Sequence, residues 1–203
     1  MRSKKLILVG ATVLAGLTLA ACGSSTSSDQ AMASGDMAAI GSTVAPANDG
    51  DIAFAQLMIP HHQQAVEMAD MALAHGVTGD VLTLANQIKA AQDPEIQTMT
   101  TWLTAWGAPM EMVETDGHDG MDMGGMSSEG MMSGADMMNL DQAEGNDFDA
   151  LWMQMMIQHH EGAISMANQV LTTTENADVQ ALAEAVVTGQ TAEIATMQKL
   201  LSE

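Results

Sequence analysis

The chain has 203 residues, with 26 Asp and Glu against five Lys and Arg, a formal net charge of −21 and one cysteine. So acidic a surface excludes nucleic acid and anionic lipid headgroups as natural partners and favours cations. The lone cysteine excludes an intramolecular disulfide or a thiolate metal cluster, so soft-metal chemistry falls to the 21 methionines and six histidines. With no Tyr, two Phe and three Trp, the core must be built from Ala, Leu, Ile, Val and Met, which favours an all-α fold.

Residues 1–21 carry Arg2, Lys4 and Lys5 and then an apolar run from Leu6 to Ala21. A basic start and a short apolar core mark a secretory signal, too short for a comfortable membrane span. Leu19-Ala20-Ala21-Cys22 resembles the lipobox of bacterial lipoproteins, which implies cleavage before Cys22 and lipid on its sulfur. The competing reading is an uncleaved anchor with an incidental cysteine. Loss of the signal leaves Lys89 and Lys199 against 26 acidic residues, a formal charge of −24. Residues 22–48 are rich in Ser, Gly, Ala and Thr and read as a flexible tether.

Asp51–Leu103 aligns without a gap on Asp149–Leu201, at an offset of 98, with 20 identities in 53 positions. The domain is therefore an internal duplication. Each repeat, 49–106 and 147–203, reads as an αα-hairpin. Helices are expected over about Asp51–His75 and Gly79–Trp106, and over about Asp147–Thr173 and Ala177–Leu201, with Gly76 and Gly107 as stops and Asn176 as an N-cap. Four helices with short turns inside each repeat make a four-helix bundle. Pro60 and Pro94 would kink the first repeat, or Pro94 would start a new helix. Between the repeats, 107–146 holds nine of the 21 methionines among Gly, Asp and Ser, a linker long enough to be functional or disordered.

Met58-Ile59-Pro60-His61-His62 returns as Met156-Ile157-Gln158-His159-His160. At 100° per residue, Met58, His62, Ala65 and Ala69 share an inward stripe, with His61 and Met68 on its shoulder. Gln92, Glu95, Ile96 and Met99 share a face of the next helix, and Gln190, Glu193, Ile194 and Met197 repeat it. Adjacent histidines point about 100° apart, so packing alone does not account for a duplicated pair. The expected metal set is Met58, His61, His62, Met68, Glu95 and Met99 with Met156, His159, His160, Met166, Glu193 and Met197. The glutamates would steady the histidines or serve as occasional ligands. Imidazole with thioether suits Cu(I) and Ag(I), whereas imidazole alone also holds Cu(II) or Zn(II). The competing reading is that the histidines are core residues and the methionines core filler. In the linker, His118, Met121, Met123 and Met126 have no core to fill and form a candidate labile site.

Enzyme readings fare worse. His160-Glu161 lacks the second histidine of a zinc protease, since Ile164 stands there. Gln92-x-x-Glu95 and Gln190-x-x-Glu193 lack the histidine of a di-iron bundle. His62 with Glu67 is a weak start for a hemerythrin-like carrier, and Ser165 replaces Glu67 in the second repeat. No catalytic residue is expected.

The duplicated Met-Ile-x-His-His and Gln-x-x-Glu-Ile-x-x-Met motifs resemble the bacterial family called domain of unknown function 305. The resemblance covers Asp51–Leu201 apart from the linker. It implies a ferritin-like four-helix bundle and, through periplasmic members of the CopM type, copper binding and copper resistance. Gln158 for the family's usual proline, Gln64 for its usual glycine and the Met-rich linker depart from the pattern. The resulting expectation is an exported protein, lipid-anchored on the outer face of the cytoplasmic membrane or in the periplasm, that binds copper for sequestration or delivery to a copper-handling partner. Affinity should weaken as pH falls through roughly 6.5, because a ligating imidazole must be neutral. The alternatives are a metal-independent interaction module and a redox metalloenzyme.

Overall fold

The computed structural model describes residues 44–111 and 129–203. The signal segment, Cys22, most of the tether, and His118, Met121, Met123 and Met126 lie outside the described residues. Five helices follow in order: α1 Asp49–Ala74, α2 Gly79–Trp106, α3 Gly134–Gln142, α4 Gly145–Val170 and α5 Ala177–Leu200. α3 falls within the segment that reads as linker in the sequence. Its start is a capping box in which Ser133 and Asp136 satisfy each other's backbone N–H, a local signal that a nine-residue helix with one buried residue, Leu140, otherwise lacks.

Helix boundaries follow local chemistry. Asn48 caps α1 in a capping box with Asp51, and Asn176 accepts from the N–H groups of Asp178 and Val179 at the start of α5. α2 ends where Gly107 turns left-handed at φ 68° and donates back to the last turn. Both caps also join chain segments remote in sequence. Asn48 Nδ2 donates to Thr173 O, and Asn176 Nδ2 donates to Ala45 O and Pro46 O. Ala45 O also accepts from Trp106 Nε1, so the last residues of the segment expected to be a loose tether are tied to the bundle. Pro60 and Pro94 sit on solvent-facing positions, and α1 and α2 run through them without a break. Pro94 therefore does not start a separate helix.

The fold is all-α: two αα-hairpins, α1–α2 and α4–α5, packed together through α1 and α4, with α3 against α4. Paired residues set the directions. Within the first hairpin His62 faces Glu95, while Asp70, further along α1, faces Lys89, earlier on α2, so the pair is antiparallel. Between hairpins His61 meets His159, and Met68 O accepts from Trp152 Nε1, seven residues on along α1 and seven back along α4. α1 and α4 are therefore antiparallel too. Because His61 and His159 are the same position in the two repeats, the approximate twofold axis relating the repeats passes between them.

The core divides into two apolar clusters that the same symmetry relates. One contains Met58, Met99 and Met166 with Phe54 and Leu103, and the other Met68, Met156 and Met197 with Trp152 and Ile88. Of the six methionines expected as ligands, each cluster takes two from one repeat and one from the other. Alanines at 65, 69, 163 and 167 are fully buried. Without larger side chains there, α1 and α4 can approach closely. Among the described residues no helix is long and apolar enough to cross a membrane.

Candidate metal centre

All four histidines of the duplicated motif are buried, none more than 2% exposed. The i, i+1 spacing on each helix sends one ring toward the axis and the other toward its own hairpin partner. His61 and His159 meet across the axis with ring centroids 3.8 Å apart and planes tilted by 40°. His62 Nε2 is 2.7 Å from Glu95 Oε2 on α2, and His160 Nε2 is 2.7 Å from Glu193 Oε2 on α5. The repeats thus build one shared histidine cluster.

Hydrogen bonding fixes which nitrogen of three rings carries the proton. A carboxylate and a carbonyl only accept, so His62 and His160 donate Nε2–H to their glutamates. His61 donates Nε2–H to Glu129 O at 3.1 Å. On His61, held neutral, Nδ1 is then a bare acceptor, and it and the Nδ1 atoms of His62 and His160 are buried without a hydrogen-bond partner. His159 has no partner on either nitrogen. Burial holds His61 in the neutral form, its pKa lowered from 6.5 to about 3, with repulsion from His62 and His160 adding to the effect against the bond to Glu129. His159 is held well below the ordinary imidazole value, first by burial and then by the neighbouring histidines.

Two departures from the repeat close this centre. At equivalent positions α1 has Gln64 and α4 has Gly162. Gln64 Nε2 donates to Met132 O and its Oε1 accepts from Met132 N, pinning the segment before α3. Gly162 brings the same segment against α4. A Cβ there would fall on Glu129 O and 2.8 Å from Gly130 Cα, and Gly130 itself has φ +78°. Residues 129–132 thereby cover His61, a role that a one-dimensional comparison of the repeats does not disclose.

The methionines of the expected set, Met58, Met68, Met99, Met156, Met166 and Met197, are all buried, at most 2% exposed. They fall as two groups of three in the two apolar clusters. Glu95 and Glu193 are 20% and 18% exposed and stand at the rim. Among the described residues no three or more His, Cys, Asp or Glu converge as a set able to hold a metal.

The model of the family described as domain of unknown function (DUF305) matches residues 51–201. The chain belongs to the DUF305 family. A solved DUF305 fragment from Deinococcus radiodurans is 28% identical with a TM-score of 0.65, over 78% of this chain and 99% of that one. A DUF305 protein from Streptomyces coelicolor, described as secreted, is 31% identical with a TM-score of 0.67, over 75% and 92% of the two chains. CopM in its Cu(I)-bound form is 29% identical with a TM-score of 0.60, over 75% and 95%, and CopM has also been solved with Cu(II) and with silver. No curated protein matches the chain.

Proposed function

We propose that this DUF305 protein is a cell-envelope lipoprotein that binds copper, as Cu(I), through its histidine pairs and the methionines beside them, and sequesters it or hands it on without covalent chemistry. The observation that carries this reading is the set of bare Nδ1 atoms on His61, His62 and His160. Leaving a buried polar nitrogen unpaired costs about 1–3 kcal/mol, and the chain does so on three rings whose opposite nitrogens are secured by oxygen acceptors. That arrangement is the usual one for a metal-binding imidazole, in which a carboxylate or carbonyl fixes the tautomer and raises the basicity of the other nitrogen. Glu95 and Glu193 act in this way on His62 and His160, and the Glu129 carbonyl on His61.

The choice of metal follows from the donors. Neutral imidazoles and buried thioethers without a thiolate or a converged carboxylate set suit Cu(I), with Ag(I), Cu(II) and Zn(II) as progressively less apt guests. The copper and silver complexes of CopM support the same class of ion. Lipid on Cys22 would hold the domain on the outer face of the cytoplasmic membrane or in the periplasm, within reach of a copper-handling partner. Competition against a chromophoric Cu(I) chelator, with the full chain and with His61, His62, His159 and His160 replaced by Ala, tests the assignment. The expected result is a loss of at least a hundredfold in affinity or of bound equivalents. Unchanged stoichiometry and affinity would sink it.

A further inference from the structure

We propose that a notch between α2 and α5 is a second cation site, built of oxygen donors, that takes one partly hydrated divalent ion of hard or borderline character. The notch has a volume of about 30 Å³ and is lined by Gln92 and Glu95 from α2, Gln190 and Glu193 from α5, and Val186 and Gly189. That space accommodates about one or two water-sized occupants. Its two sides are the same motif, since Gln92 and Glu95 match Gln190 and Glu193 at the repeat offset.

Two observations single it out from the general acidity of the surface. Gln92 and Gln190 are only 2% and 4% exposed, yet both amide atoms of Gln92 and the Oε1 of Gln190 lack hydrogen-bond partners. Buried amides are nearly always satisfied by protein, water or an ion, and these line the notch. Beside them, Glu95 and Glu193 each commit Oε2 to a histidine and keep a second carboxylate oxygen. The lining therefore carries two negative charges and no basic side chain among the described residues. Two carboxylates and two amide oxygens form the donor set that Mn(II), Mg(II) or Ca(II) prefers, and one poorly matched to Cu(I). The site is distinct from the histidine–methionine centre in chemistry and joined to it through the two glutamates. It does not depend on that centre's binding copper.

The probe is Mn(II), added to the full chain while its free ion is followed by electron paramagnetic resonance and its location by paramagnetic broadening of backbone amide resonances. The expected result is tight binding of one equivalent, with broadening centred on residues 91–95 and 189–193. Gln92→Leu/Gln190→Leu should weaken it at least tenfold. Gly189→Leu should do the same by filling the notch; a Cβ at Gly189 meets nothing within 4 Å, so the new side chain starts without a clash. His61→Ala/His159→Ala should leave Mn(II) binding as it was while weakening Cu(I). Broadening spread over the acidic surface, undiminished affinity in both notch variants, or loss of Mn(II) in the histidine variant would each overturn the proposal. Failure of the copper reading would show instead in the Cu(I) titration alone.

Discussion

His61 and His159 face each other as neutral rings because neither has a counter-charge and burial makes a proton on either costly. The consequence for stability has a definite sign. In the unfolded chain an imidazole takes up a proton near pH 6.5, whereas folded His61 does so only at about pH 3. Between those values the unfolded state binds more protons, so His61 contributes stability that is fully present above about pH 6.5 and is lost as pH falls toward 3, with a slope near 1.4 kcal/mol per pH unit at most. His159 acts in the same direction. Urea unfolding of the metal-free chain at pH 7, 6, 5 and 4 should therefore show a steeper loss for the native sequence than for His61→Leu/His159→Leu. Parallel curves would mean that the two rings are already protonated in the fold. The same burial alters the pH expected for metal release: the free-imidazole value near 6.5 does not govern His61, whose proton competes for Nδ1 only in much stronger acid.

At the scale of elements, the turn that precedes α3 is held between α1 and α4 by two unlike devices, the Gln64 side chain and the absent side chain of Gly162. Glycine inside a helix costs about 1 kcal/mol relative to alanine, so Gly162→Ala on a free helix would stabilise. Here the added methyl meets the backbone at Glu129 and Gly130, where relaxation requires the whole segment to shift, and overpacking of this kind costs typically 1–3 kcal/mol. Gly162→Ala should accordingly lower the midpoint of thermal unfolding followed by circular dichroism, and expose His61. A raised midpoint would show that residues 129–132 do not rest on α4 in solution. Pro60 and Pro94 are accommodated for a related reason: both lie on solvent-facing turns, where a lost backbone hydrogen bond can be replaced by water.

For the whole molecule, the histidine cluster lies where the two hairpins meet, so a bound metal ties both repeats together and favours only the folded state. A Cu(I) concentration 100-fold above the dissociation constant adds about 2.7 kcal/mol, which for a domain of this size corresponds to roughly 5–10 °C in the unfolding midpoint. Anaerobic thermal denaturation with and without Cu(I) measures this directly. A metal-independent interaction module would melt at the same temperature in both.

Much of this was legible in one dimension. The duplication, the four long helices, the inward stripe of Met58, His62, Ala65 and Ala69, and the pairing of histidines with the Gln-x-x-Glu face follow from residue type and from a period of about 3.6 residues per turn, both local properties. α3 was not, because a short helix with one buried residue leaves almost no periodic signal. Nor was the role of residues 129–132, since nothing local marks Glu129 as a partner of His61 or Gly162 as a seat for Gly130. Whether two histidine pairs make two sites or one depends on the register in which α1 lies against α4. That register is set by packing across the whole interface, with Trp152 reaching Met68 O and alanines allowing close approach, and it alone brings His61 onto His159. The sequence by itself determined the candidate side chains and their duplication; the tertiary structure decided that the histidine pairs form one buried, shared cluster, because an axis between two helices is a property of their contact and of neither chain segment alone.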